Sequence, residues 1–152
     1  MRKERILLIG GAGFVGRYLA RECLRADMAV RVIGRGPAPE QPAPGDFPYF
    51  RGDYRDPAFL EPVVKEADVV VHLAHDNIRP SIVSDMRCEL EQNIQPAINL
   101  ISTCLRHDVS RFVLVSSGGT VYGNAPQREP IAEDTSMRPI TSYGCSKLIL
   151  EQ

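Results

Sequence analysis

The chain has 152 residues, of which 43% are hydrophobic and 24% are charged, and its formal net charge at pH 7 is −1. This length and apolar content are sufficient for a hydrophobic core, so we expect one domain over residues 1–152. The balanced charge, without a basic run, argues against a nucleic-acid-binding protein. No stretch is long and apolar enough to cross a membrane, and the apolar run after Arg5 breaks at Gly10, too early for a signal peptide. We therefore expect a cytoplasmic protein without membrane partners.

The cysteines show no spacing typical of metal ligands or of a disulfide framework. They are Cys23, Cys88, Cys104 and Cys145. Three of the four fall in predicted helices, so we expect buried thiols in a reducing compartment and no metal ion.

The first predicted element is a buried strand at Arg5–Ile9, followed by a glycine-rich turn and a helix over residues 14–26. The helix is indicated by apolar residues near helical spacing, namely Val15, Leu19, Cys23 and Leu24. In the turn, Gly10 supplies unusual backbone angles, Gly13 lets a pyrophosphate approach closely, and Gly16 lets the helix pack on the strand. The first helical turn then attracts phosphates through its N–H groups. For a glycine pattern taken alone, an ordinary structural turn is the alternative.

Apolar runs alternate with helical patterns along the rest of the chain. Further strands are predicted at Val30–Ile33, Tyr49–Phe50, Val69–Leu73 and Phe112–Val115. Between them, Pro57–Glu66 suits a short helix with proline at its first position, and Asp85–His107 suits a long one. This repeated βαβ order indicates a parallel sheet covered by helices on both faces. The Gly- and Pro-rich segment Gly34–Pro48 is predicted to be a surface loop.

The long helix is expected to pack one apolar stripe into the core. The stripe consists of Met86, Leu90, Ile94, Ala97, Ile98, Ile101 and Leu105. Pro96 lies in the same helix, where it is expected to bend the helix or break its hydrogen bonding locally.

Six segments, in order along the chain, carry a resemblance to a known family. They are Gly10–Gly16, Gly52–Asp56, His72–Ala74, Asn93, Val115–Gly123 and Tyr143–Lys147. On these segments the chain resembles the N-terminal, cofactor-binding part of an extended short-chain dehydrogenase/reductase, in the NAD-dependent epimerase/dehydratase group that acts on nucleotide sugars. The resemblance implies an α/β fold: a Rossmann-type doubly wound parallel sheet of about five strands, in the order 3-2-1-4-5, with helices on both faces. Family members continue into a C-terminal substrate domain, so we expect the chain to be truncated before that domain.

The segment from Tyr143 to Lys147 resembles the acid/base motif of this family. A spacing of four puts both side chains on one face of a helix, and a nearby ammonium favours the phenolate form of a tyrosine. The resemblance implies that Tyr143 is the acid/base and that Lys147 is its electrostatic partner, which also reaches the nicotinamide ribose. Taken alone, such a pair is more often a surface pair; its position after Ser116-Ser117 favours catalysis.

The third catalytic group departs from the family pattern. In the family, a Ser or Thr at the end of this strand bonds the reacting hydroxyl or carbonyl of the substrate, and here Gly118 stands at that position. Ser117 and Thr120 flank the gap, and Thr120 also matches a Thr that lies at the substrate in related epimerases. We expect Thr120 and Ser117 to complete the catalytic set, and Ser116 to cap only backbone.

The end of the second strand bears on the choice between NAD and NADP. NAD-binding relatives place an acidic residue there, which accepts hydrogen bonds from the adenosine ribose. Here Gly34 occupies that position and Arg35 follows it. Loss of the carboxylate and addition of a guanidinium favour a 2′-phosphate, so NADP is favoured over NAD. The alternative is a solvated arginine in a loop.

The resemblance also assigns the other contacts to the dinucleotide. Asp53 is expected to bond the adenine amino group, with the Tyr54 backbone beside it. Leu73 and Ala74 are expected to line the ribose and pyrophosphate channel, and Asn93 to support the nicotinamide side. At the glycine turn the expected contacts are Gly10, Gly13, Phe14, Val15 and Gly16.

The resemblance implies an enzyme that moves hydride between a nucleotide sugar and the nicotinamide, while Tyr143 handles the hydroxyl proton. The stretch Ser116–Gly123 most resembles 4-epimerases, so a nucleotide-sugar 4-epimerase is the first expectation, with a dehydratase or ketoreductase as alternatives. A non-catalytic dinucleotide-sensing module is another alternative, which Gly118 favours and the intact Tyr143 and Lys147 oppose. The sequence does not select the sugar.

Two expectations concern the chain as a whole. Without a substrate domain, residues 1–152 are expected to bind cofactor at best, with no sugar turnover. The family commonly dimerises through the long helix and the helix that carries Tyr143, and apolar surface normally covered by later elements would face water. We therefore expect a homodimer or other self-association.

Overall fold

The computed structural model describes residues 2–38, 47–76, 85–124 and 130–152. In chain order its elements are β1 (Arg5–Ile9), α1 (Phe14–Arg25), β2 (Ala29–Gly34), β3 (Tyr49–Arg51), α2 (Pro57–Val64), β4 (Val69–His72), α3 (Met86–Glu89), a π-helical turn (Leu90–Ile94), α4 (Gln95–Arg106), β5 (Arg111–Leu114), α5 (Gly118–Val121) and α6 (Ser142–Glu151). Most of the predicted loop Gly34–Pro48 lies outside the described residues.

The five strands form one parallel sheet in the order β3-β2-β1-β4-β5. β1 is central, because Ile6 pairs with Val30 of β2 on one side and with Val69 of β4 on the other. The strand order and the parallel direction implied by the resemblance are therefore confirmed.

The described chain divides into two compact units. The first consists of Met1–His75 and Pro96–Val115 and contains the sheet, and the second consists of Asp76–Gln95 and Ser116–Gln152. The expectation of one domain over residues 1–152 stays a prediction.

Within the first unit, side chains of β1 alternate between two hydrophobic cores. Leu7 and Ile9 pack with residues of α2 and α4 on one face of the sheet. Ile6 and Leu8 pack with residues of α1 on the other face. Burial of both faces is what a parallel sheet requires, and it confirms the prediction of helices on both sides.

The inward face of α1 differs from the predicted one by a position. Its buried residues are Gly16, Ala20 and Cys23, whereas Val15 is 57% exposed. Gly16 faces inward because a Cβ there would lie 2.4 Å from the Cα of Gly11, so only a residue without a side chain fits. The helix thus packs closely against the turn at Gly16, and Ala20 and Cys23 pack against the strands, as predicted.

The predicted long helix Asp85–His107 is interrupted by the π-helical turn. In this turn the Gln95 N–H donates to the Leu90 carbonyl, five residues back. Pro96, which has no N–H to donate, follows directly. The expected local break in hydrogen bonding at Pro96 is confirmed.

The predicted core stripe of this helix is wrong at several positions. Ile94 and Ala97 are buried as predicted, whereas Met86 and Leu90, before and at the start of the π-helical turn, are exposed. After the turn, Ile98 and Leu105 are exposed, and the buried residues include Leu100, Thr103 and Cys104. A π-helical turn contains one extra residue, which rotates the following residues by about 100° relative to an uninterrupted α-helix. A pattern read with a single period therefore assigns the wrong face.

Two aspartates fix the segments that connect strands and helices: Asp56 at the start of α2 and Asp68 just before β4. Asp56 caps α2 by accepting a hydrogen bond from the Ala58 N–H, with Pro57 at the predicted first position. Asp68, just before β4, accepts three hydrogen bonds from Arg5 of β1: from the backbone N–H at 2.9 Å, from Nε at 3.0 Å and from Nη2 at 2.7 Å. These charge-assisted bonds hold the pKa of Asp68 far below its usual value.

An apolar groove of about 680 Å³ lies in the first unit, between α1 and the strands β1, β4 and β5. Tyr18 of α1 contributes to its walls, as do Val113 and Val115 at the β5 side. Val113 is 39% exposed and Val115 is 36% exposed. Apolar surface therefore faces water on this side of the sheet.

The cysteines are only partly buried as predicted. All four cysteines are free; Cys23 and Cys104 are buried as expected, whereas Cys88 and Cys145 are half-buried. Burial raises the pKa of the Cys104 thiol to about 11. Within the described ranges, no helix has the length and hydropathy needed to span a bilayer.

Candidate functional site

The glycine turn after β1 has the tight geometry expected of a dinucleotide site. Gly10 has φ +79°, and a Cβ on it would lie 2.9 Å from the backbone of Ala74. Ala74, which follows β4, is thus brought against the turn, with Leu73 half-buried beside it. Any side chain at position 10 would be strained and would push the two segments apart. The structure brings together these three predicted cofactor contacts.

The N-terminus of α1 is suited to an anion. Gly13 is its N-cap and provides no side chain that accepts hydrogen bonds from the first turn, and that turn contains no acidic residue. A Cβ on Gly13 would meet only the Gly10 carbonyl oxygen, at 3.2 Å. Phe14 and Val15 are exposed beside it. A positive helix end with an open approach fits the diphosphate of a dinucleotide.

At the corner where β2 and β3 end, a side chain at Gly34 would meet the side chain of Tyr49. Gly34 pairs with Arg51 of β3, and a Cβ on Gly34 would lie 2.6 Å from the Tyr49 hydroxyl. That hydroxyl donates to the Gly36 carbonyl at 2.8 Å. The side chain of Arg35 is exposed at this corner. The corner therefore offers a guanidinium where a carboxylate does not fit without displacing Tyr49.

Asp53 lies at the same corner and is held by Arg55. Arg55 donates from Nε at 3.0 and 2.9 Å to the two carboxylate oxygens, and from Nη2 at 2.6 Å. These bonds lower the pKa of Asp53, and the charge of Arg35 adds to the effect. The carboxylate is thus ionised at neutral pH and remains an acceptor of the kind an adenine amino group needs.

The predicted acid/base pair lies on α6, in the second unit. Thr141 caps this helix by accepting a hydrogen bond from the Gly144 N–H at 3.0 Å. The Lys147 Nζ lies 5.9 Å from the centre of the Tyr143 ring, so the spacing of four does place the two groups together. Lys147 is only 3% exposed. Burial lowers its pKa, and the negative charges of Glu89 and Glu151 oppose that change.

Thr120 lies against Gly144, the residue after Tyr143, a glycine that the sequence analysis did not single out. A Cβ on Gly144 would lie 2.7 Å from the Thr120 carbonyl oxygen, so the absence of a side chain lets α6 lie directly on α5. The Thr120 hydroxyl donates to the Ser117 carbonyl at 3.2 Å. The signal for this contact was the glycine directly after the predicted acid/base residue.

There is free space at Gly118, the position where the family carries a Ser or Thr hydroxyl. A Cβ on Gly118 would meet no atom within 4 Å. Ser117, directly before it, is the N-cap of α5 but makes no capping bond through its side chain. The Ser116 hydroxyl bonds the Glu151 carboxylate, so the expectation that it caps only backbone is wrong. Of the three hydroxyls here, Ser117 and Thr120 stay candidates for substrate contact.

Asn93 lies in the π-helical turn and fixes the chain at Asp76. Its Oδ1 accepts a hydrogen bond from the Asp76 N–H at 2.7 Å, and its Nδ2 donates to the Asp76 carbonyl at 3.3 Å. Nδ2 also donates to Oε2 of Glu89 at 2.9 Å. Sequence reasoning found Asn93 but missed Glu89, because the spacing of four places the glutamate on the same helical face but does not show that it is buried.

The profile of the NAD dependent epimerase/dehydratase family matches residues 6–152. The chain is similar to the UDP-glucose 4-epimerase of Azospirillum brasilense, with 32% identity over 151 residues, which is 97% of this chain and 43% of that protein. The chain spans about half the length of the curated relatives it matches.

Two solved structures illustrate the fold that these relatives share. MoeE5 in complex with UDP-glucuronic acid and NAD aligns with a TM-score of 0.82 and 32% identity, over 97% of this chain and 47% of that chain. TunA, an NAD-dependent NDP-hexosamine 5,6-dehydratase involved in tunicamycin biosynthesis, aligns with a TM-score of 0.76 and 30% identity, over 98% of this chain and 48% of that chain. With the observed strand order, they confirm a Rossmann-type fold.

Proposed function

Because the chain belongs to the NAD-dependent epimerase/dehydratase family, we propose that the whole protein is a nucleotide-sugar epimerase that acts at the sugar C4. The observation that carries the proposal is the pairing of Tyr143 with a buried Lys147 on α6, the helix that lies against Thr120 of α5 at Gly144. A binding module without turnover has no need of such a pair. The similarity to a UDP-glucose 4-epimerase supports the substrate class.

Each of these residues has a distinct role in the proposal. When bound, the nicotinamide accepts and returns a hydride. Tyr143 takes the proton from the sugar hydroxyl and later gives it back. Lys147 stabilises the phenolate during that transfer because it is a cation held close to the ring. Thr120 and Ser117 position the reacting hydroxyl by hydrogen bonds, in place of the residue absent at Gly118.

The dinucleotide is held, in our proposal, by the glycine turn, by Leu73 and Ala74, and by Asp53 with the Tyr54 backbone. Asn93 supports the nicotinamide side. The family is NAD-dependent, and we propose that this member accepts NADP in preference to NAD. The glycine at position 34, where an acidic side chain would meet the Tyr49 hydroxyl, and the exposed Arg35 support this preference, since a guanidinium pairs with a 2′-phosphate.

Removal of water from the sugar is a second candidate reaction, because the chain is 30% identical to the TunA dehydratase. An elimination needs acid and base groups beyond the tyrosine. The segment from Ser117 to Tyr122 offers hydroxyls and no carboxylate, which favours epimerisation. Identification of the product by NMR separates an epimer from a deoxygenated keto sugar.

Self-association and location complete the proposal. Exposed apolar side chains lie on α4, at Ile98 and Leu105, and on α6, at Ile149, which supports a homodimer formed through these two helices. The four free thiols support a reducing compartment such as the cytoplasm. Because the chain spans about half the length of its relatives, we propose that residues 1–152 bind cofactor without sugar turnover.

The test is Tyr143→Phe in the whole protein, with conversion of UDP-glucose and UDP-galactose as the assay. We expect kcat to fall by about 100-fold or more, while cofactor binding stays intact. Tyr122→Phe is the matched control, since Tyr122 ends α5 and has no part in the proposed acid/base pair.

Unchanged turnover in Tyr143→Phe would overturn the enzymatic role of this residue. Cofactor binding by a wild-type protein that converts no nucleotide sugar would favour the sensing module instead. Measurable sugar turnover by residues 1–152 would contradict the proposal that this part only binds cofactor.

A further inference from the structure

Two opposite charges are buried in the second unit. Lys147 of α6 is 3% exposed and Glu89 of α3 is 5% exposed. Charged side chains are rarely buried this deeply unless they are paired, and a buried ion without a counter-charge is strongly destabilising. The role of Lys147 in the acid/base pair accounts for the lysine but leaves the buried glutamate unexplained.

The carboxylate of Glu89 is fixed in place. Its Oε2 accepts a hydrogen bond from Asn93 Nδ2 at 2.9 Å. Asn93 is itself anchored, because its Oδ1 accepts from the Asp76 N–H at 2.7 Å. Both α3 and the π-helical turn, which carry these two side chains, pack against α6. The glutamate is therefore held rigidly against the helix of the acid/base pair.

Glu89 is the buried acid among the titratable groups around Lys147. The other charged or titratable residues of α3, the π-helical turn, α5 and α6 and their caps are exposed or half-buried: Asp85, Arg87, Cys88, Glu91, Tyr122, Tyr143, Cys145 and Glu151. Of the two acids whose charge acts on Lys147, Glu151 is exposed and bonds Ser116. Water screens an exposed charge far more than a buried one, so Glu89 is the effective counter-charge.

We propose that Glu89 is a positioning residue whose buried carboxylate keeps Lys147 an ammonium beside Tyr143. This inference rests on the proposed acid/base function of Tyr143 and Lys147. Burial alone drives Lys147 toward the neutral amine, and a neutral amine cannot stabilise a phenolate. The hydrogen bond from Asn93 holds the Glu89 carboxylate in position. Asn93 therefore supports the acid/base pair through Glu89, in addition to fixing the backbone at Asp76.

The test is an NMR titration of chain 1–152 that carries ¹³C-labelled lysine. The sequence contains only three lysines, Lys3, Lys65 and Lys147, so the three signals can be followed separately, and Lys147→Met assigns the third. In Glu89→Gln we expect the pKa of Lys147 to fall by about one pH unit or more, with Lys3 and Lys65 unchanged. Glu151→Gln is the matched control, for which a much smaller change is expected.

A Lys147 pKa that is the same in Glu89→Gln and in the wild type would overturn the proposal. If Glu89→Gln alone does not fold, the double variant Glu89→Gln/Lys147→Met decides. Recovery of folding in the double variant supports a charge pair, because both ions are then removed together. A double variant that stays unfolded, while Lys147→Met alone folds, shows that Glu89 has a purely structural role.

The titration is independent of turnover. A failure of the enzymatic proposal appears as unchanged activity in Tyr143→Phe, whereas a failure of the present inference appears in the Lys147 pKa. In the whole protein, Glu89→Gln is expected to shift the pH profile of kcat by a similar amount, and a loss of stability alone would not move that profile.

Discussion

Arg35 and Asp53 are two charges of opposite sign at one corner of the sheet. The Arg35 guanidinium contributes to the lowered pKa of Asp53, although Arg55 has the largest effect. A nucleotide at this corner would therefore meet a fixed acceptor and an exposed cation. The acceptor suits an adenine amino group, and the cation suits a phosphate on the ribose.

Replacement of Arg35 tests whether this single side chain sets the cofactor preference. We expect wild-type residues 1–152 to bind NADPH more tightly than NADH, and Arg35→Asp to weaken NADPH binding by about tenfold or more. The reason is the loss of charge-assisted hydrogen bonds to the 2′-phosphate. The measurement is a calorimetric titration with each cofactor.

Arg25→Asp serves as the control for net charge, because Arg25 is an exposed arginine at the end of α1 that pairs with Glu22. It is expected to bind both cofactors as the wild type does. Equal affinity of the wild type for NADH and NADPH would show that Arg35 is only a solvated side chain.

At the residue scale, the sequence predicts well where a single position has a strict requirement. Gly10 was assigned unusual backbone angles, and it has φ +79°. The spacing of four, together with the family resemblance, predicts that Tyr143 and Lys147 share one face of a helix, and they lie together. Glu89 could not be found in this way, because its burial depends on α6, which is more than 50 positions away in the chain.

At the scale of elements, Asp68 ties the start of β4 to β1 through Arg5. We expect Asp68→Asn to lower the Tm by about 3–6 °C at pH 7, because a carboxylate that accepts three hydrogen bonds becomes a weaker neutral acceptor. The pKa of Asp68 is lower in the folded state than its unfolded value of about 3.9. Its contribution to stability is therefore complete above about pH 4 and lost as the pH falls below that value.

The corresponding measurement is thermal unfolding of both proteins between pH 7 and pH 2. The difference in Tm should be constant above about pH 4 and should narrow below it. Asp27→Asn is the control, since Asp27 is 79% exposed and pairs with Lys3 on the surface. A difference that widens on acidification would contradict the assigned role of Asp68.

The predicted strands agree with the observed ones to within about two residues, because buried parallel strands are continuous apolar runs bounded by turns. The helix after β4 was predicted less well. The π-helical turn changes the angular position of every later side chain, and periodicity analysis assumes that no such change occurs. The proline at position 96 marked the place but not the size of the shift.

At the scale of the whole molecule, the apolar groove beside α1 is a prominent exposed feature of the first unit. We expect residues 1–152 to bind the uncharged dye Nile red there, and Val113→Lys to reduce the bound dye by about half or more. An ammonium on this strand makes the groove polar, and Glu22, which also lines it, favours the new charge. Fluorescence titration with Nile red is the measurement.

Leu105→Lys is the matched control, because Leu105 is an apolar residue with 75% exposure that lies on α4 and does not line the groove. If dye binding falls in Leu105→Lys but not in Val113→Lys, the apolar surface that binds the dye lies on α4 and not in the groove.

The order of the sheet was predicted from the resemblance of six short segments, and the observed order agrees with it. Family resemblance works at this scale because topology is shared even where only about a third of the residues are identical. The division into two compact units was not predicted. It depends on how helices pack, and no local pattern in the chain encodes it.

The contact between Gly34 and Tyr49 has a consequence for how cofactor preference can evolve in this protein. An acidic side chain at position 34 would displace the Tyr49 hydroxyl and break its bond to the Gly36 carbonyl. The Tyr49 side chain must then move away from position 34, so an acidic residue is easier to accommodate where position 49 carries a residue without that hydroxyl. In the proposed site, a change of cofactor preference would therefore involve the two neighbouring strands β2 and β3 together.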